Sequence, residues 1–217
     1  MVKRRLRIAQ LANIAERVPP QKYGGTERVV YALTEELVKR GHEVTLFASG
    51  DSITSAKLIS IYPKSLRYSK VLDNTYSANI LTLLNIGYAY ERQDQFDIIH
   101  DHNGYLSLPT ANLAKTPVVM SVHGYFGVNE RRIFENLKKP YLVSISKAQA
   151  ATASKLKFLG NVYHGLEMKH FPFSKKPGKY LLFTGRISLE KGVHFAIEVA
   201  QYLDIPLIIA AKLDSAV

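Results

Sequence analysis

The chain has 217 residues, 47% of them hydrophobic and 22% charged, with a formal net charge of +11 and no cysteine. This is the composition of a globular protein with room for one full α/β domain and some residues beyond it. Disulfides, thiolate chemistry and thiolate metal sites are excluded, and no apolar run has the length needed to cross a bilayer.

Chain order gives an alternation of strands and helices. Arg5 to Ala12 reads as a first strand. Its apolar stretch soon meets Asn13 and Glu16, which argues against a signal peptide. Asn13 to Gly25 is a loop with Pro19-Pro20 and Gly24-Gly25. Thr26 is the expected cap of a helix that buries Val29, Val30, Leu33 and Leu37 and stops at Gly41. Glu43 to Ala48 and Lys57 to Tyr62 are the second and third strands, followed by a Tyr-rich helix within Val71 to Glu91. Phe96 to His100, Pro117 to Val122 and Tyr141 to Ile145 are further strands. Helices are expected near Leu106 to Leu113, Glu130 to Leu137 and Lys147 to Leu156, then a short strand over Asn161 to His164. Continuous apolar strands alternating with helices predict a doubly wound parallel sheet, Rossmann-like, spanning 1–170. Residues 171–178, with two prolines and two lysines, read as a linker. Residues 179–217 hold an incomplete second β-α-β unit: Lys179 to Thr184, Glu190 to Leu203 and Pro206 to Ala211. Two strands and a helix are too few to fold alone, so this segment is expected to dock on the first domain, to associate with another chain or to be partly disordered.

Ligands of such sheets sit beyond the carboxyl ends of the strands, and several chemically suggestive groups fall there. Lys22-Tyr23-Gly24-Gly25-Thr26-Glu27-Arg28 joins the first strand to the first helix. Gly24 and Gly25 let backbone amides approach an anion at a helix N-terminus, and Lys22 adds a cation; the alternative is a simple turn. The Gly-Lys-Ser/Thr ending of a Walker loop is missing. In His100-Asp101-His102 the two histidines are two apart and face the same way on a strand. They suit hydrogen bonds to a sugar; a metal-dependent hydrolase site or plain loop support are the other readings. His123, before Gly124, ends the neighbouring strand. Arg186 and Lys191 flank a strand-to-helix turn, where a planar fork and a compact charge suit a diphosphate; the alternative is a solvated helix start.

The cationic excess suits phosphate-bearing small molecules first, an anionic membrane surface second and nucleic acid a distant third, since the charges are scattered and no nucleic-acid motif stands out. Lys64, Arg67 and Lys70 are the candidate membrane-facing patch, with ordinary surface charge as the alternative. The lack of cysteine fits a reducing cytoplasm, with a peripheral place at the inner membrane face.

Taken in order, Tyr23-Gly24-Gly25-Thr26-Glu27, Gly41-His42-Glu43-Val44-Thr45-Leu46, His100-Asp101-His102, Ser121-Val122-His123-Gly124, His164-Gly165-Leu166-Glu167 and Gly185-Arg186-Ile187-Ser188-Leu189-Glu190-Lys191-Gly192 resemble the GT4 family of retaining, nucleotide-sugar-dependent glycosyltransferases. His164-Gly165-Leu166-Glu167 departs from the commoner Asn-Gly-hydrophobic-Asp. The resemblance implies the GT-B fold, with an N-terminal acceptor-side domain and the start of a C-terminal donor domain. Gly24 and Gly25, with Lys22, would face the donor phosphates. His123 would touch the donor sugar as the catalytic residue. His100, Asp101 and His102 would lie toward sugar or acceptor, and Arg186 and Lys191 would hold the leaving diphosphate. It implies a nucleotide-sugar co-substrate, an acceptor, and neither metal nor other cofactor. The family's paired-glutamate motif and most of its nucleobase pocket lie beyond the matched part, so the resemblance implies an incomplete and inactive fragment, with self-association through the second segment.

Overall fold

The computed structural model describes residues 4–69, 71, 74–136, 139–165, 167–168 and 172–212. Lys70, Leu166, Phe171 and Val217, which figure in the expectations above, lie outside them. Contacts divide the chain into two units, Met1–Leu166 and Glu167–Val217.

The first unit is built on a seven-stranded parallel sheet in the order β3-β2-β1-β4-β5-β6-β7. Its strands are β1 (Arg7–Leu11), β2 (Glu43–Phe47), β3 (Lys57–Ile59), β4 (Ile98–Asp101), β5 (Val118–Ser121), β6 (Tyr141–Ser144) and β7 (Phe158–Asn161). Between them run α1 (Gly25–Lys39), α2 (Thr75–Tyr90), α3 (Leu108–Leu113), α4 (Val128–Asn136) and α5 (Lys147–Thr152). The order reverses between β1 and β4, so the chain is doubly wound and Rossmann-like, as the alternation implied. The largest core cluster joins Leu11, Phe47, Ile99 and Met120 from the sheet to Ile86, Leu108 and Phe134 from the helices. Phe126 completes it, edge-on to Phe134 at 5.4 Å and to Phe158 at 5.9 Å.

Two local details of the first unit differ from expectation. Thr26 lies inside α1, whose N-cap is Gly24, and no side chain caps it. Gly24 adopts φ +138°, and a Cβ there would meet Pro20 Cβ at 2.6 Å and Glu27 Oε2 at 2.9 Å. The last strand is shifted to Phe158–Asn161, because Phe158 packs on the core and draws the strand earlier. His164 therefore stands outside the sheet. At the other end of α1, Gly41 (φ +88°) donates to Val38 O and His42 N–H donates to Leu37 O, the paired bonds of a Schellman stop.

The second unit pairs β8 (Leu181–Arg186) in parallel with β9 (Leu207–Lys212), with α6 (Val193–Leu203) between them in sequence. The helix starts later than expected. Gly192, at φ +72°, separates α6 from a short 3-10 turn over Leu189–Lys191. Its apolar faces are largely uncovered: Leu182 is 57% exposed, Ile208 49% and Phe195 61%.

Candidate functional site

The crossover between β1 and β4 brings a polar group into an otherwise apolar sheet centre. Gln10, fully buried on β1, is the register partner of His100 on β4. Side chains two apart share a face, so the His100 and His102 rings lie side by side, tilted by 33°, with centroids 4.2 Å apart. Backbone pairing continues past β4, with His102 N–H donating to Leu11 O at 3.1 Å. On the next strand, Ser121 and His123 follow the same two-residue spacing.

The side chains form one connected chain. Ser121 Oγ is 2.8 Å from His100 Nε2, and His100 Nδ1 is 3.5 Å from Gln10 Nε2. Gln10 Oε1 is 2.9 Å from His102 Nε2, and His102 Nδ1 is 2.9 Å from His123 Nε2. His123 Nδ1 is 3.2 Å from His164 Nε2, where the chain reaches the exposed side of the unit. Burial disfavours the charged form of each of these rings. His100 is pushed down to about 4 by desolvation, and His123 also to about 4 by desolvation and then by His164 and His100. His102 is held well below the ordinary range, again by burial first. His164 is lowered by burial.

Asp101, expected to face sugar or acceptor, points the other way and is fully buried. It accepts from Tyr90 Oη at 2.8 Å, from Asn103 N at 2.8 Å and from Asn103 Nδ2 at 3.2 Å. Burial pushes its carboxyl up, while these donors pull it down. Alternation along the strand explains the correction: neighbours of His100 and His102 must face the opposite side. Asp101 thus anchors the β4 loop on α2.

A cavity of about 130 Å³ opens beside the histidines. His102 and His123 form part of its wall, with Tyr105, Tyr125 and Phe134 as aromatic sides and Glu130 as the carboxylate. A larger depression in the second unit, about 520 Å³, is lined by Ile197, Gln201, Asp204 and Leu207 and has no comparable convergence of polar groups.

The glycine-rich loop is built separately. Lys22 is exposed, and its carbonyl accepts from Arg28 Nη2 at 2.9 Å. Gly25 has open space where a Cβ would stand, whereas Gly24 is enclosed. Glu27 folds into the first turn of α1; burial pushes its carboxyl up, with its own N–H and Arg67 pulling the other way. Arg67, expected in a membrane-facing patch, instead pairs with the buried Glu16 and lies over the Tyr23 ring, 5.6 Å from its centroid. Among the described residues no helix is long and apolar enough to cross a membrane.

Arg186 and Lys191 belong to the second unit. Arg186 ends β8 and its Nη2 donates to Glu190 Oε1 at 2.7 Å, while Lys191 is exposed on the 3-10 turn. The first unit accordingly gathers His100, His102 and His123, with Lys22, Gly24 and Gly25 at the opening of α1. Sequence reasoning missed Gln10, Ser121, Glu27 and the place of His164. For Gln10 a signal existed: an amide interrupting Ile8-Ala9-Gln10-Leu11-Ala12, a strand otherwise fit for burial on both faces.

The metal reading of His100 and His102 is not favoured by this geometry. Three of their four ring nitrogens face Ser121, Gln10 or His123 within 2.9 Å and the fourth faces Gln10 at 3.5 Å. Among the described residues no group of three or more His, Cys, Asp or Glu is arranged to hold a metal ion.

Residues 23–157, which include the glycine-rich loop and the His100, His102 and His123 strand ends, match the model of Glycosyltransferase Family 4. The chain belongs to Glycosyltransferase Family 4. Its fold is shared by solved glycosyltransferase structures. AviGT4, a glycosyltransferase involved in avilamycin A biosynthesis, superposes with a TM-score of 0.65 at 23% identity, over 97% of this chain and 58% of that one. The glycotransferase of kitacinnamycin gives 0.50 at 17% identity, over 99% and 67%. MurG of Acinetobacter baumannii gives 0.47 at 14% identity, over 97% and 61%. This family 4 chain therefore spans 58% of the length of AviGT4. Comparison with curated proteins gave no match.

Proposed function

We propose that this chain supplies the acceptor-side domain, and the first part of the donor-side domain, of a retaining transferase that takes its sugar from a nucleotide-diphosphate donor. The observation that carries the reading is His123. It stands at the carboxyl end of a central strand, on the wall of an aromatic cavity, at the outer part of a buried histidine chain. Sheets of this kind bind ligands at that edge, and a neutral imidazole offers hydrogen bonds to sugar hydroxyls without repelling an oxocarbenium-like centre.

The remaining roles follow by chemistry. Gly25, open above the first turn of α1, with Lys22 and Gly24, forms an anion-accepting helix start for the donor phosphates. His100 and His102 back His123. Arg186 and Lys191 hold the diphosphate as it leaves, where negative charge grows and fixed cations help most. No divalent metal takes part in this scheme. A cytoplasmic place suits this scheme, since the chain has no cysteine.

Transfer by the 217-residue chain alone is expected to be negligible. Two charge-assisted contacts contribute about 1.5–3 kcal/mol each, and association costs on the order of 4–15 kcal/mol. Two strands and one helix do not enclose a nucleobase. The test is release of nucleoside diphosphate from a panel of nucleotide sugars, by the chain alone and by the chain fused to a complete family 4 donor domain. Release is expected only from the fusion, and its loss in His123→Ala supports the reading. Robust turnover by the chain alone would overturn the fragment part. A folded fusion inert toward every donor would overturn the transferase part.

A further inference from the structure

The geometry points to Gln10 as a positioning residue that fixes, through His102, which ring nitrogen of His123 carries the proton. An amide has two unlike ends: its oxygen only accepts and its nitrogen only donates, while a neutral imidazole has one nitrogen of each kind. Each assignment along a chain of neutral imidazoles therefore forces the next.

Gln10 Oε1 faces His102 Nε2 at 2.9 Å, so that nitrogen carries the proton. His102 is buried and neutral, which leaves Nδ1 bare. His123 Nε2, 2.9 Å away, must then donate to it. His123 is neutral too, so its Nδ1 is bare and accepts from His164 Nε2 at 3.2 Å. On the other arm, Gln10 Nε2 faces His100 Nδ1 at 3.5 Å, and His100 Nε2 donates to Ser121 Oγ at 2.8 Å.

The direction is imposed from the buried end. His164 is exposed, where water serves equally as donor or acceptor and selects neither tautomer. Ser121 Oγ likewise takes either role. Gln10 alone in the chain has chemically distinct ends, and it is fully buried in β1. The consequence at the site is that the outward nitrogen of His123 is an acceptor, covered by His164. A sugar hydroxyl that displaces His164 meets a lone pair. That last step rests on the reading of His123 as a donor-sugar contact; the tautomer assignment does not.

The test uses long-range 1H–15N correlation spectra of the full chain, labelled at histidine, near neutral pH. His123 is expected as a single Nε2–H tautomer. In Gln10→Leu, folded by its amide spectrum, His123 is expected to lose that single-tautomer pattern. In His164→Ala it is expected to keep it, because the outer end does not set the direction. Ser121→Ala is expected to change His100 and leave His123 as it was. An Nδ1–H tautomer at His123 in the unaltered chain overturns the proposal. So does an unchanged pattern in folded Gln10→Leu, or scrambling in His164→Ala. Should Gln10→Leu not fold, the unaltered chain and His164→Ala still decide it. None of these readouts needs transfer activity, so failure here and failure of the transferase reading are separable.

Discussion

His102 Nδ1 stands 2.9 Å from His123 Nε2, joining the carboxyl ends of two neighbouring strands that are 21 residues apart in sequence. The bond links a buried ring to a half-buried one, both on the cavity wall, and the stability of the first unit should register the cost of charging such rings.

The sign follows from burial. His100 is lowered from an ordinary 6.5 to about 4. Its stabilising contribution is complete above the unfolded value and is lost as the pH falls toward the folded one, at about 1.4 kcal/mol per pH unit. Buried Glu27 and Asp101, both pushed up, bend the total curve the other way, so a difference is the cleaner measure. Urea midpoints of the unaltered chain and of His100→Gln should converge as the pH drops from about 7.5 to about 5. Parallel midpoints across that range would show that His100 does not resist protonation.

The two glycines of the α1 loop should behave oppositely. Gly24→Ala meets both a positive φ and Pro20 Cβ at 2.6 Å, and should lose about 1–3 kcal/mol. Gly25→Ala enters open space and should stay within about 0.5 kcal/mol. Chemical denaturation of the pair checks this; equal losses would mean that the loop is not held as described.

Tyr90→Phe removes the Tyr90 hydroxyl that donates to the buried Asp101. A loss of about 1–3 kcal/mol is expected, with amide exchange quickening first in the loop after β4. Exchange unchanged from Asn103 to Ser107 would detach Asp101 from the support of that loop.

How much of this was legible depends on the range of the interaction. The alternation of apolar strands and helices is local, and it was enough for the sheet class and for His100, His102 and His123 at strand ends. Asp101 was misjudged although the same two-residue period, applied to it, turns it into the core. The partner that makes this sensible, Tyr90, comes from a different element and was not visible in the strand itself.

The second unit supplies a last expectation. Leu182, Phe195 and Ile208 are more exposed than core residues of a two-layer fold should be. Sedimentation of the chain should show concentration-dependent association above its 24.4 kDa mass. Leu182→Lys with Ile208→Glu should abolish it without changing the unfolding of the first unit. A monomer at all concentrations would leave those faces without a role in assembly.

By itself the sequence determined the period of each segment, the glycines where the backbone takes left-handed values, and the residue types offered to a sugar phosphate. Only the tertiary structure decided which of these groups meet. Gln10 precedes His102 by 92 residues and His164 follows His123 by 41. Parallel pairing of β1, β4 and β5 brings Gln10, His102 and His123 within hydrogen-bond range, because each strand returns to the same edge after its helix. The direction of the histidine chain is a property of that edge, since one buried amide with unlike ends acts on rings that burial keeps neutral.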